Sequence, residues 1–172
     1  MMMRRSGGAW QIAQLNIALP REPLTSHLLA DFVAALAPIN ALAEASPGFV
    51  WRLQTDAGDS TGVRAFGDDR LIVNLSVWTS VEALADFAFR SAHADIMRQR
   101  RKWFESMKEA YAVLWWVPAG HRPSVVEAEE RLRVLRAEER PTERAFTFRH
   151  PFAAPGETEV ARGREDDECP VA

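Results

Sequence analysis

Residues 70–78, Arg-Leu-Ile-Val-Asn-Leu-Ser-Val-Trp, constrain the fold more than any other stretch of the chain. Side chains alternate across a strand, so Leu71, Val73, Leu75 and Val77 share one purely apolar face. Ile72, Asn74, Ser76 and Trp78 share the other. Residues 10–19 repeat the pattern, with Ala13, Leu15 and Ile17 against Gln14 and Asn16. Two such strands imply a sheet with unlike sides, one fit for a core and one too aromatic for water and too polar for plain core.

The remaining elements follow from period and punctuation. Residues 24–45 carry Leu28, Phe32, Leu36 and Leu42 at roughly helical spacing, with Pro38 as an interruption. Ser46-Pro47-Gly48 ends that helix, and a short strand follows over 49–54. Residues 55–69 are rich in Asp and Gly and read as a loop. Thr79 or Ser80 caps a helical region over 81–107 with a break near Ser91. A strand over 112–117 precedes a loop ending at Pro123. Ser124 and Glu127 make a capping box for a helix with Val125, Ala128, Leu132 and Leu135 as its stripe. A last short strand is expected over 144–148.

The order β-α-β-β-α-β followed by α-β matches the split βαβ, ferredoxin-like motif, an α+β fold in which the first and third strands are central neighbours. Their apolar faces are expected to pack on the two helices. The mixed faces then need a cover, and the sheet of a second copy supplies it, giving a homodimeric α/β barrel.

The 172 residues suit one domain, here 9–150, between a disordered N-terminal tail (1–8) and a disordered acidic tail (151–172). Net charge is −3, which gives no global attraction for nucleic acid, and the basic run 98–102 reads as solvated helix surface. The lone cysteine, Cys169, can build no disulfide framework or cysteine metal site, which points to a reducing, cytoplasmic setting. No signal peptide or membrane-spanning stretch is expected.

Several strings carry a resemblance. They are Pro47-Gly48-Phe49-Val50-Trp51-Arg52-Leu53, the strand 71–78, Arg90-Ser91-Ala92-His93 with Arg100-Arg101-Lys102-Trp103-Phe104, Leu114-Trp115-Trp116-Val117-Pro118-Ala119-Gly120-His121, and Ala145-Phe146-Thr147-Phe148. Together they resemble an uncharacterised bacterial domain family of the dimeric α/β-barrel superfamily, over about residues 10–150. The resemblance implies the barrel fold and dimerisation, and no reaction. The wider superfamily includes cofactor-free monooxygenases of antibiotic biosynthesis, haem-degrading enzymes, other haem proteins and pure binding members, so a reaction comes from it by analogy alone.

Residues 93–107 hold the best candidates for chemistry. At about 100° per residue, His93, Met97, Arg100 and Phe104 share one helix face, beside Ile96, Trp103 and Met107. His93 can move a proton near neutral pH, and Arg100 can hold a carboxylate, phenolate or enolate oxygen. The plainer alternative is a pair satisfied by backbone carbonyls at a helix–sheet seam. His121, in the loop beside Gly120, is a candidate base or ligand, or else a cap for the helix after Ser124. Six tryptophans, among them Trp51, Trp78, Trp103 and Trp116, can line a flat-ligand pocket or fill core and interface. Asn16 and Asn74 are expected as cross-strand neighbours that orient a substrate or fix register. In this reading His93 and Arg100 face the helix layer while Asn16, Asn74 and Trp78 face the barrel, so the two groups share a pocket only where it opens around a sheet edge; if one group alone is functional, the expectation is the helix-side one, which holds the titratable residues.

The expected function is binding of a flat, hydrophobic or polyketide-like small molecule. A cofactor-independent monooxygenase- or isomerase-like reaction would use His93 as acid/base and Arg100 as anion holder. The alternatives are a non-enzymatic binding module, or a haem protein with His93 or His121 as axial ligand. Gly-x-Gly-x-x-Gly, phosphate-loop, Cys-His metal and nucleophile-elbow motifs are absent from the sequence.

Overall fold

The structure is a computed structural model that describes residues 9–157 apart from 57, 59, 60 and 63. It is an α+β fold with a four-stranded antiparallel sheet. The strands are β1 (Trp10–Ala18), β2 (Phe49–Arg52), β3 (Ile72–Trp78) and β4 (Ala112–Pro118), in the order β2-β3-β1-β4. The first and third strands are central neighbours, as their patterns require. The register sets Leu15 opposite Leu75, Ile17 opposite Val73, and Asn16 opposite Asn74. The helices are α1 (Ala30–Ala45), α2 (Val81–Arg90), α3 (Ala92–Arg98), α4 (Arg100–Trp103) and α5 (Val125–Ala137).

Each connection has a local cause. Gly48 takes φ +83° in the turn into β2, and a Cβ there would stand 2.5 Å from Ala83 Cβ, so the turn sits against α2 only because the side chain is missing. Ser80 caps α2 by accepting from Ala83 N, and Ser91 caps α3 by accepting from His93 N. The helical region predicted over 81–107 is therefore three helices. It ends at Trp103, where Phe104 turns extended and bridges to Pro20. Ser124 caps α5 by accepting from Glu127 N, while the Glu127 carboxylate turns to Trp115 Nε1 (3.0 Å) and His121 Nε2 (2.7 Å).

The two faces of the sheet are covered differently from the sequence expectation. The purely apolar face (Ala13, Leu15, Ile17, Val73, Leu75, Val77, Val113, Trp115) packs on Ala128, Leu132 and Leu135 of α5, the helix that follows the βαββαβ order. The mixed face lies under α1, α2 and α3 of the same chain, where Ile12, Trp78 and Leu114 meet Ala43 and Leu84. The reason for expecting a partner's sheet on this side is thereby removed. A face carrying Gln14, Asn16, Asn74 and Ser76 can border a cavity, whereas an all-apolar face needs a continuous apolar cover.

Three smaller expectations also change. Residues 144–148 form no strand of their own. Phe146 makes a single antiparallel bridge to Leu114 through two backbone hydrogen bonds of 2.8 and 2.9 Å. The packed chain continues past 150, since Phe152 sits 5.7 Å from the Phe146 ring and Ala154 is buried. The expected tail over 1–8 and the acidic run beyond 157 lie outside the described residues. Residues His27–Ala45, with a mean hydropathy of 1.5, are long and apolar enough by composition to cross a membrane, contrary to expectation. In this fold they run over the mixed face of the sheet.

Candidate functional site

Between the mixed face and α1–α3 lies a cavity of about 340 Å³. Its floor is Gln14 and Asn16 of β1 with Asn74, Ser76 and Trp78 of β3. Phe32, Ala35, Leu36, Ile39, Asn40 and Ala43 of α1 form the roof. The α2–α4 wall presents Phe87, His93, Met97 and Arg100. Helix α1 stands off the sheet, so only Ala43 among its residues is fully buried. Asn74 lies mid-sheet yet is solvent-exposed, which makes the cavity open rather than sealed.

The two groups that the sequence reading sets on opposite sides of the sheet thus line one cavity. The helix stripe His93, Met97, Arg100, Phe104 does face the helix layer, and so do Asn16, Asn74 and Trp78. The sidedness of the sheet was the misjudged quantity, whereas the shared face within the β1, β3 and 93–104 patterns was read correctly. The other candidates lie elsewhere. Trp51 packs against the apolar-face core, with the Arg122 guanidinium 5.7 Å from its ring. Trp103 is buried with Leu29 and Phe104, and Trp116 donates through Nε1 to the Phe152 carbonyl at 2.9 Å. His121 is tied to Glu127 on the α5 side.

His93 is held at three points. Its backbone N–H donates to Ser91 Oγ (3.1 Å), its ring lies 4.8 Å from Phe87, and Nδ1 is 3.2 Å from the Ala88 carbonyl oxygen. A carbonyl only accepts, so Nδ1 carries the proton and Nε2 is the basic nitrogen of the neutral ring. Burial holds the imidazole below its ordinary pKa, with the Ala88 hydrogen bond opposing, so the ring is neutral at pH 7. Phe87 in turn stacks on Trp78 at 5.1 Å and 23°, and Phe49 meets Trp78 edge-on. Trp78, Phe87 and His93 make a continuous aromatic stack along one side of the cavity.

On the floor, Gln14 Nε2 lies 3.4 Å from the Asn74 carbonyl oxygen and 3.3 Å from Ser76 Oγ. The backbone carbonyl assigns that atom as the NH2 group, since an amide oxygen there would face another acceptor. Trp78 Nε1 also donates to Ser76 Oγ, at 3.0 Å. With two N–H groups filling its acceptor positions, the Ser76 hydroxyl is left as a donor. Sequence reasoning missed Ser76 and Gln14 as site residues. The signal was present in their place on the same alternating face as Asn16 and Asn74.

Two arginines line the cavity. Arg52 is paired with Glu44 at 2.8 Å, whereas Arg100 lies over the Tyr111 ring at 4.2 Å and has no carboxylate within 4.0 Å among the described residues. The described lining includes no Asp or Glu. No cluster of three His, Cys, Asp or Glu side chains suited to a metal ion occurs among the described residues.

A family model described as a domain of unknown function, DUF3291, matches residues 11–162. A protein of unknown function from Nitrosomonas europaea, NE2512, is similar in structure. It is 15% identical, the match covers 67% of this chain and 97% of that one, and the TM-score is 0.41. No curated protein matches the chain.

Proposed function

Because the chain belongs to the DUF3291 family, whose description names no activity, we propose a function from the cavity: it binds a flat hydrophobic small molecule and acts on it by proton transfer, as a cofactor-independent monooxygenase- or isomerase-like enzyme. The observation that carries this is His93, a neutral imidazole with Nδ1 engaged by Ala88 and Nε2 left basic on the cavity wall. Oxygenation and isomerisation by such enzymes share a first step, removal of a proton from carbon or phenol by a base. His93 Nε2 takes that proton, and the electron pair moves to the substrate's oxygen. The Ser76 hydroxyl, its acceptor positions filled by Gln14 and Trp78, is the nearby floor group left to donate to it. The Trp78–Phe87–His93 stack packs beside the flat part of the substrate and orients it.

The finer fold reading, a ferredoxin-like unit of the dimeric α/β-barrel kind, draws support from the strand order with β1 and β3 central. A homodimer belongs to that reading. With the mixed face under α1–α3, the second copy would meet the chain through another surface, and native mass spectrometry reads the state.

The test is deuterium uptake. A panel of hydrophobic ketones, keto acids and phenols is incubated with the protein in heavy water and read by mass spectrometry. Protein-dependent exchange in at least one compound, lost in His93→Gln, is the expected result. Tight binding with no exchange in any compound would make the protein a binding module. Neither binding nor exchange would sink the cavity reading as a whole.

A further inference from the structure

His93 and Arg100 were paired in the sequence reading as base and anion holder for one functional group. Their spacing argues against it. Seven residues of helical rise separate them, roughly 10 Å along the axis, although Gln99 breaks the helix between α3 and α4. The oxygen of an enolate is two bonds from the carbon that loses the proton. The sheet beneath them sets the ends further apart: Trp78, in the stack with Phe87 and His93, is paired with Ile12, whereas Tyr111 beneath Arg100 is hydrogen-bonded to Ile17, five residues or roughly 17 Å along β1.

The two residues mark opposite ends of the cavity. His93 belongs to the aromatic end with Phe87 and Trp78. Arg100 stacks on Tyr111, whose carbonyl accepts from Ile17 N at 2.9 Å, one residue along β1 from the Asn16–Asn74 register pair that lines the same cavity. Helix α1 spans the length between them. Its Phe32 touches the Arg100 end through Phe104 (ring centroids 4.9 Å apart), and its Ala43 joins Trp78 and Leu84 at the other. From Phe32 to Ile39 the roof is apolar. The cavity is thus polar and cationic at one end, has an apolar roof over the Gln14–Ser76 pair in the middle, and is aromatic and basic at the other.

Charge makes the cationic end selective. Arg52 is already neutralised by Glu44, but Arg100 has an aromatic face beneath it and shares the cavity lining with the Asn16 and Asn74 amides. A guanidinium in a cavity without carboxylates is a site for a planar anion, which it meets with two parallel N–H donors.

Resting on the proposed small-molecule function, we infer that the ligand is an elongated, mostly apolar monocarboxylate. Its carboxylate is anchored at Arg100 beside Asn16 and Asn74, its body lies under α1, and its reactive end reaches His93. Arg100 is then a remote anchor that sets which ligands fit and in which direction, and takes no part in the proton transfer.

The experiment is a calorimetric titration of the full chain with phenylhexanoate, its neutral primary amide, and phenylacetate, combined with NMR of the His93 ring, identified by loss of its signals in His93→Gln. Phenylhexanoate is expected to bind about ten- to a hundredfold tighter than the amide, with the difference abolished in Arg100→Gln. Phenylhexanoate should move the His93 signals, and phenylacetate, too short to span the cavity, should not. The acid–amide comparison in the unmodified chain stands even if Arg100→Gln folds poorly. Equal binding of acid and amide would overturn the inference and leave the cavity reading intact. A His93 response to phenylacetate as large as to phenylhexanoate would also overturn it, by showing that both side chains meet one group. Failure of both long compounds to bind would sink the inference together with the cavity.

Discussion

The two faces of the sheet are built from the same strands and behave as different materials. On the α5 side, Ala13, Leu15 and Ile17 of β1 and Val73, Leu75 and Val77 of β3 are apolar and nearly solvent-free, and Leu132 and Ala128 close over them at 0% exposure. On the α1–α3 side, Gln14, Asn16, Asn74 and Ser76 interrupt the apolar pattern, and α1 stays half-buried above a cavity. Close packing lowers free energy where both surfaces are apolar. Polar groups on one surface resist such closure unless partners meet them, so that layer keeps room for a ligand. Stability resides mainly on one side, and the proposed binding on the other.

Matched truncations give the largest test of that division. Leu132→Ala should cost about 3 kcal/mol in urea unfolding, while Leu36→Ala on the cavity roof should cost about 1 kcal/mol or less. Equal losses would break the comparison. Ser76→Ala, on the cavity side, removes the acceptor of Trp78 Nε1 and of Gln14 Nε2 and should cost about 1–3 kcal/mol. A neutral outcome there would show that water or substrate satisfies those donors.

The pH dependence sharpens the contrast further. Burial lowers the His93 pKa, so the unfolded chain binds the extra proton first as pH falls. Its contribution is therefore fully present above the unfolded value near 6.5 and is lost as pH falls from there through the folded pKa. Wild type should lose stability over that window relative to His93→Gln in paired melting curves, and parallel curves would contradict a buried neutral ring. His121→Ala should have the smallest effect, below about 0.5 kcal/mol, because its partner Glu127 keeps Trp115 Nε1. It should leave phenylhexanoate affinity unchanged. A loss of affinity there would tie the α5 side to binding after all.

Much of the candidate site was legible before any coordinates. The period-2 pattern placed Asn16 and Asn74 in mid-strand, and the register does pair them. The helical period put His93, Met97 and Arg100 on one face, and all three line the cavity. The tryptophans were less legible. Trp51, Trp103 and Trp116 have the same composition signal as Trp78, but a large aromatic fills core as well as it lines a pocket, and period alone cannot distinguish the two uses.

The sequence by itself determined the four strands and the main helical regions, their order, the central pairing of β1 with β3, and which side chains share a face. These depend on backbone periods and short-range caps, which act within a few residues. Only the tertiary structure decided which face each helix covers. An apolar strip on α5 and one on α1 are interchangeable by pattern, and the choice between them is made by long-range packing. Leu132 and Leu135 fill the continuous apolar face, and α1 remains over the face whose polar groups prevent it from closing. That one choice brings His93, Arg100, Asn16 and Asn74 into a single cavity.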